Sequence, residues 1–271
     1  MKKVLIVIGV LIVLLVGVFL IGGRGLLGRV IENGSYGVYG MENVSFRASD
    51  GKEIHGLFYL PGKENFNVVI VLPGGGGTKE SRGFYGEILA REGYGALILD
   101  QRGIGETGGT LRSFADDYYA YVGGQEVEQI LMAKDVSSAV NFLEGDERVL
   151  GVGVLGESMG GRYGIIATGA DKRIRGMITI SSAGFNGKGD SFTQKYLEII
   201  NPNSYIGTIS PRRLLMLHAL NDSVIPIEDA RITFSLAKEP KKFVEVGGKC
   251  NHGYCKEMKE YIIKELGEMF K

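Results

Sequence analysis

The chain has 271 residues, 44% of them apolar, which is ample for one large core and fits one or two domains. Its 31 basic and 31 acidic residues cancel, so it lacks the basic footprint expected of a protein that binds nucleic acid. Only three histidines and two cysteines are present, so a histidine base must be His55, His218 or His252.

Lys2 and Lys3 precede a run from Val4 to Ile21 with no charged or polar side chain. About 18 such residues can cross a bilayer as a helix. A cleaved signal peptide has a shorter apolar region, about 7–15 residues, ending at small residues. Here the longer run ends in Gly22-Gly23-Arg24, which predicts an uncleaved transmembrane signal-anchor over 1–22. Lys2 and Lys3 argue for an inside N-terminus, with Arg24 and Arg29 competing from the other end. The glycine-rich stretch 23–40 reads as a linker, and 41–271 as the globular domain.

Val44 to Ala48, a Ser49-Asp-Gly-Lys52 turn and Ile54 to Leu60 predict an antiparallel hairpin. The β-branched run Val68 to Leu72 reads as a buried central strand, followed by a helix over 81–91 and a strand over 96–100. Helical spacing recurs over 125–143. Strands are predicted before Ser158, over 176–181, 213–219 and 242–246, with a closing amphipathic helix over 256–270. Such alternation makes a mostly parallel sheet with helices on both faces, whose sites gather at the carboxyl ends of the strands.

Gly156-Glu157-Ser158-Met159-Gly160 joins a short apolar strand to a helix rich in small residues. A Gly-x-Ser-x-Gly turn between strand and helix lifts its serine above the sheet edge. Asp222 directly follows the 213–219 strand, and His252 lies in the loop between the last strand and the last helix. Ser158, Asp222 and His252 therefore stand in the order nucleophile, acid, base. An imidazole must take the serine proton, and a carboxylate must orient the imidazole. Asp190 and Glu228 are weaker rivals for the acid, since neither directly follows a predicted strand. His55 belongs to the early hairpin, and His218 ends its own strand.

The oxyanion of acyl transfer needs N–H groups already aimed at it. Met159, after the nucleophile, is one candidate. The other comes from Pro73-Gly-Gly-Gly-Gly77, with Gly75 favoured and Gly76 the near alternative. A phosphate cradle would need Gly-Lys-Ser/Thr there, and the chain instead reads Gly77-Thr78-Lys79-Glu80.

On these motifs the chain resembles the α/β-hydrolase superfamily from Met41 to Lys271, with small carboxylesterases and dienelactone-hydrolase-like enzymes the nearest kinds. Asp100-Gln-Arg102-Gly103-Ile-Gly105 matches the family's Asp-x-Arg-Gly-x-Gly turn, and the resemblance implies that Asp100 and Arg102 pair to pin it. Leu217-His218-Ala219 is similar to the family's Leu-His-Gly strand end, which gives His218 a structural role. Where many members carry His-Gly before the oxyanion residue, this chain has Pro73-Gly74. Dienelactone hydrolases use a cysteine nucleophile, which Ser158 replaces here.

Residues 185–210 leave room only for a short lid with one helix, over 191–200. The gap 107–124 holds Phe114, Tyr118, Tyr119 and Tyr121, which read either as a pocket wall or as ordinary packing. Cys250 and Cys255 flank His252; two cysteines cannot complete a tetrahedral zinc site, and a disulfide would fix the histidine loop. Reduced neighbouring thiols are the alternative. Disulfides persist outside the cytoplasm, which agrees with an exported catalytic domain.

The sequence thus predicts a membrane-anchored, extracytoplasmic serine hydrolase with an α/β-hydrolase fold, acting on small-molecule carboxylic esters without metal or organic cofactor. A peptidase or thioesterase on the same triad is one alternative, and a catalytically silent binding module another.

Overall fold

The computed structural model describes residues 39–187 and 191–271. The expected anchor over 1–22, nearly all of the 23–40 linker, and Asp190 lie outside the described residues. Among those described, no helix is long and apolar enough to cross a membrane.

The chain enters at Gly40 into the hairpin β1 (Gly40–Arg47) and β2 (Glu53–Leu60), turning at Gly51 with φ 86°. Then follow β3 (Phe66–Leu72), α1 (Gly83–Arg91), β4 (Gly95–Leu99), α2 (Phe114–Val122) and α3 (Glu128–Glu144). The second half runs β5 (Val149–Glu157), α4 (Met159–Ala170), β6 (Ile174–Ile180), α5 (Ser191–Ile200), β7 (Arg213–Ala219), α6 (Ile227–Ser235), β8 (Lys241–Val246) and α7 (Lys259–Met269). The strands form one sheet in the order β1-β2-β4-β3-β5-β6-β7-β8. β2 is antiparallel to both β1 and β4, and from β4 to β8 the sheet is parallel.

The β-branched run of β3 is explained by burial on both faces, since successive strand side chains point opposite ways. Val68, Ile70 and Leu72 meet Val136, Ala139, Val140 and Leu143 of α3 and Ile166 of α4 on one face. Val69 and Val71 join Tyr85 and Leu89 of α1 and Ile262 and Leu266 of α7 on the other. Two cores therefore clamp the central strands, and β3, β5, β6 and β7 end side by side at one edge. The register aligns Leu72 with Gly156 and Glu157 with Ile180, so the chain emerges from β3, β5 and β6 at one level.

The 107–124 gap contains α2. Ser113 caps it, accepting a hydrogen bond from the Asp116 N–H at 3.1 Å. Tyr118 and Tyr121 pack on Tyr196 of α5, which makes them mainly packing residues.

Candidate active site

β5 ends at Glu157 and α4 begins at Met159, so Ser158 alone makes the turn. It does so at φ 51° and ψ −115°, a conformation that side chains other than glycine rarely adopt and that stores strain. The surroundings impose it. The Ser158 N–H donates to the Ile180 carbonyl of β6 at 2.8 Å, and its carbonyl accepts from the Gly161 N–H at 3.0 Å. A Cβ on Gly156 would lie 2.5 Å from the Gly160 oxygen, and one on Gly160 would strike the Leu72 carbonyl. This is why glycine stands at both positions of the elbow.

The turn brings the Ser158 hydroxyl to 2.9 Å from His252 Nε2. Both carboxylate oxygens of Asp222 lie 3.0 Å from His252 Nδ1. The three residues predicted from the sequence thus come together, from the ends of β5, β7 and β8. Asp222 is wholly buried, yet its pKa is held below the ordinary value. Burial alone would raise it; hydrogen bonds from the Ile225 and Val224 N–H groups, each 2.9 Å, and from His252 and Ser181 outweigh that. The imidazole therefore faces an ionised acceptor, which holds the proton on Nδ1 and leaves Nε2 free to accept the serine proton.

The histidine loop is tied down at several points. Asn251 Oδ1 accepts from the His252 N–H at 2.8 Å and from the Ser223 N–H at 2.9 Å, joining the base's loop to the acid's. Ser181 Oγ accepts from the Gly253 N–H at 3.0 Å. Ser181 itself is buried at φ 49°, held by its N–H to the Leu217 carbonyl at 2.9 Å. Cys250 and Cys255 are disulfide-bonded, with sulfurs 2.06 Å apart, across the same loop.

The glycine loop approaches from β3. Gly74 is buried, and a Cβ there would come within 3.3 Å of Ser158 Cβ; Gly75 is exposed with open space around it. The Gly77 N–H donates to the Gly74 carbonyl at 3.0 Å, closing a turn that needs positive φ at Gly76, where it is 77°. The Pro73 and Gly74 carbonyls are drawn back by the buried side-chain amide of Gln101, at 3.3 Å for Gly74. Met159 opens α4, so its N–H belongs to the first turn, where helix N–H groups have no partner within the helix. The Met159 amide thus lies next to the serine, and of the glycine loop it is Gly74 that approaches it, with Gly75 and Gly76 both exposed beyond.

Beneath these loops lies a support that no local pattern announces. Glu157 is buried and accepts from Arg82 Nε at 3.1 Å, Arg82 Nη2 at 2.7 Å and the Tyr85 hydroxyl at 3.0 Å. Its carboxyl group also lies 3.4 Å from where a Cβ on Gly253 would be. Tyr85 is deeply buried, which pushes its phenol far up and keeps it a donor. Gln101, Ser181 and Glu157 all escaped the sequence reading, because their partners stand tens of residues away.

The implied Asp100–Arg102 pair is not made. Asp100 instead accepts from the Lys79 N–H at 2.7 Å, Lys79 Nζ at 3.1 Å and the Glu106 N–H at 2.9 Å. Arg102 turns to Asp50 and Asp135, with contacts of 2.6 to 3.0 Å. Each charge has its own partner set, so the turn is pinned by two networks. His218 is structural as expected: buried, with Nε2 2.9 Å from the Ile225 carbonyl. Glu228 pairs with Arg231 at 3.1 Å, away from the histidine.

Beside Met159 opens a cavity of about 210 Å³, lined by Leu111, Phe114, Met132, Phe185 and Tyr196, with Arg112, Asp117, Glu128, Gln129 and Arg162 among them. Phe114 is the member of the 107–124 aromatics that reaches it; Tyr119 is exposed.

Residues 63–203, just over half of the chain, match the family model Hydrolase_4, described as serine aminopeptidase, S33. The uncharacterized protein YfhR of Escherichia coli strain K12 is 26% identical over 220 residues, covering 75% of this chain and 70% of YfhR. The Pyrococcus furiosus esterase Pf2001 superposes with a TM-score of 0.66 at 18% identity, covering 91% of this chain and 100% of its own. A cold-adapted esterase from an Arctic intertidal metagenomic library gives 0.68 at 18% identity, covering 92% and 100%. An acetyl xylan esterase from Paenibacillus sp. R4 gives 0.67 at 16% identity, covering 90% and 89%. At such identities the three structures share the fold.

Proposed function

We propose, for a chain that belongs to the serine aminopeptidase S33 family of α/β-hydrolases, that it hydrolyses carboxylic esters through Ser158, His252 and Asp222. The observation that carries this reading is the unbroken hydrogen-bonded line from the Ser158 hydroxyl through both ring nitrogens of His252 to a buried, ionised Asp222. Ser158 Oγ attacks the acyl carbon as His252 Nε2 takes its proton. The Met159 and Gly75 N–H groups hold the oxyanion, and His252 returns the proton to the departing alcohol. Water, deprotonated by His252, then releases the acid and regenerates Ser158. None of these steps calls on a metal or organic cofactor.

The family description raises a second reading, removal of an N-terminal amino acid from a peptide. Such a substrate would place an ammonium group near the acyl carbon. The two carboxylates of the adjoining cavity are already engaged: Asp117 by Arg112 at 3.2 Å and the Tyr196 hydroxyl at 3.1 Å, and Glu128 by Arg112 at 3.5 Å. The ester reading therefore fits this chain better. A panel of p-nitrophenyl acyl esters beside aminoacyl p-nitroanilides decides between them. Ester turnover by the full-length protein should fall roughly 10⁶-fold in kcat in Ser158→Ala. Turnover of the anilides alone would transfer the triad to peptides, and silence on both would leave a binding module.

The same reading includes display outside the cytoplasm from a membrane anchor. The uncharged run Val4 to Ile21 and the disulfide across the histidine loop support it. Recovery in the membrane fraction, with the hydrolase domain digested by protease added to intact cells, is the expected result. Recovery of the whole chain in the cytosol would overturn it.

A further inference from the structure

The cavity beside Met159 holds a cation that the described residues leave largely unsatisfied. Arg162 lies one helical turn beyond Ser158 on α4, its N–H donating to the Ser158 carbonyl at 3.3 Å. Among the described residues its guanidinium meets the Ala183 carbonyl, through Nε at 3.0 Å, and the Phe185 ring, with the guanidinium carbon 4.5 Å from the centroid. No described carboxylate lies within 4.0 Å of it. A guanidinium has five N–H donors, and among the described residues this one commits a single donor to a protein oxygen. Its burial accordingly pulls the pKa down, opposed only by Asp229 at a distance. Elsewhere Arg102 is paired by Asp50 and Asp135, and Arg112, in the same cavity, by Asp117 and Glu128, while Arg212, which also has no described carboxylate partner, gives four hydrogen bonds to backbone carbonyls.

Leu111, Phe114, Met132, Phe185 and Tyr196 make the apolar part of the wall, and its two carboxylates, Asp117 and Glu128, are both held by Arg112. The cavity, at about 210 Å³, has room for a short chain but not for a bulky acid. The cavity is lined by Met159, the residue next to Ser158, as well as by Arg162, so an acyl chain that enters it from Ser158 brings its far end towards the guanidinium. An apolar stretch of wall beside a guanidinium that has no described carboxylate partner suits an alkyl chain that ends in a carboxylate, which the planar fork can bind through two parallel hydrogen bonds.

We infer that the acyl half of the substrate is a short dicarboxylic acid esterified at one end, with its free carboxylate bound by Arg162. This rests on the ester-hydrolase reading above and adds the acyl class to it. The products are then the free diacid and an alcohol, with water supplying the added hydroxyl and proton.

The full-length protein should be assayed on mono-p-nitrophenyl adipate and on p-nitrophenyl hexanoate, which differ in the terminal carboxylate at equal chain length. The adipate ester should have the higher kcat/KM. In Arg162→Met the ratio of adipate to hexanoate kcat/KM should fall about 10- to 100-fold, the scale of a lost charged hydrogen bond, while hexanoate turnover persists. Arg162→Lys, which keeps the charge without the fork, should restore part of the ratio and guards against a variant that merely misfolds. Titration of free adipate into the wild-type protein by calorimetry supplies a readout that needs no turnover. Hydrolysis of both esters with a ratio unmoved by Arg162→Met would overturn the inference and leave the esterase intact. Adipate binding that Arg162→Met abolishes, with neither ester cleaved, would support the anion subsite and overturn the esterase reading instead. Failure of the wild type to bind adipate would overturn the subsite.

Discussion

Two groups of buried charges occupy the same edge of the sheet and are built in opposite ways. Around the turn after β4, Arg102 is closed between Asp50 and Asp135, and Lys79 among Asp100, Glu106 and Glu80, the last two at 2.7 Å. At the ends of β5, β7 and β8, Asp222 is equally buried, but the line it starts runs outward through a partly exposed His252 to the serine hydroxyl. In the first group every charge ends on another fixed charge. In the second the line ends on a hydroxyl that can give up its proton. What separates scaffold from chemistry here is where the hydrogen bonds terminate, since each group contains a carboxylate side chain with no exposure, Asp100 and Asp222.

This contrast can be tested from both sides. Asp222→Asn keeps the shape but favours the wrong imidazole tautomer, so kcat should fall roughly 10⁴-fold with the melting temperature little changed. A loss under tenfold would remove Asp222 from the line. Arg102→Met should do the reverse. It strands the buried Asp135 without its cation, costing about 3–5 kcal/mol in urea unfolding, while turnover per folded molecule stays near wild type. If turnover instead collapsed as in Asp222→Asn, the division between the two groups would be wrong.

The smallest effect lies in acid. The Arg102 guanidinium holds the Asp50 carboxyl down from 3.8 to about 2. A depressed pKa contributes stability that is complete above the unfolded value and disappears as pH falls through the folded one. The melting temperature should therefore decline as pH drops from about 4 towards 2, and Asp50→Asn should flatten that slope. Some slope will persist, because Asp222 is depressed too. An identical slope in the variant would show that the Asp50–Arg102 pair adds nothing.

The two groups were also unequally legible in the sequence. Ser158 shows itself because its elbow is local: glycines two residues either side are forced by backbone contacts within a few residues and with β3. His252 emerged from scarcity, and Asp222 from its place directly after a strand. The cavity, the Gln101 hold on the glycine loop and the Ser181 bridge did not emerge, for a common reason. Gln101 and Pro73 are 28 residues apart, Ser181 and Gly253 are 72 apart, and such pairs leave no periodic trace. The mistaken Asp100–Arg102 pairing has the same origin. Adjacency in the chain pointed to one salt bridge, but Lys79, Asp50 and Asp135 arrive from other elements and supply closer partners.

The backbone at Ser158 carries one more consequence. A side chain held at φ 51° makes the folded state less stable than it need be, by roughly 1–3 kcal/mol for a residue in so sparse a region. Glycine would sit there without that strain, so Ser158→Gly should melt higher than Ser158→Ala, although both lack the hydroxyl. Equal melting points would mean that the turn is relaxed. The fold is thus under tension at the residue proposed to react, and a lineage with no use for the Ser158 hydroxyl would gain stability by replacing that residue with glycine.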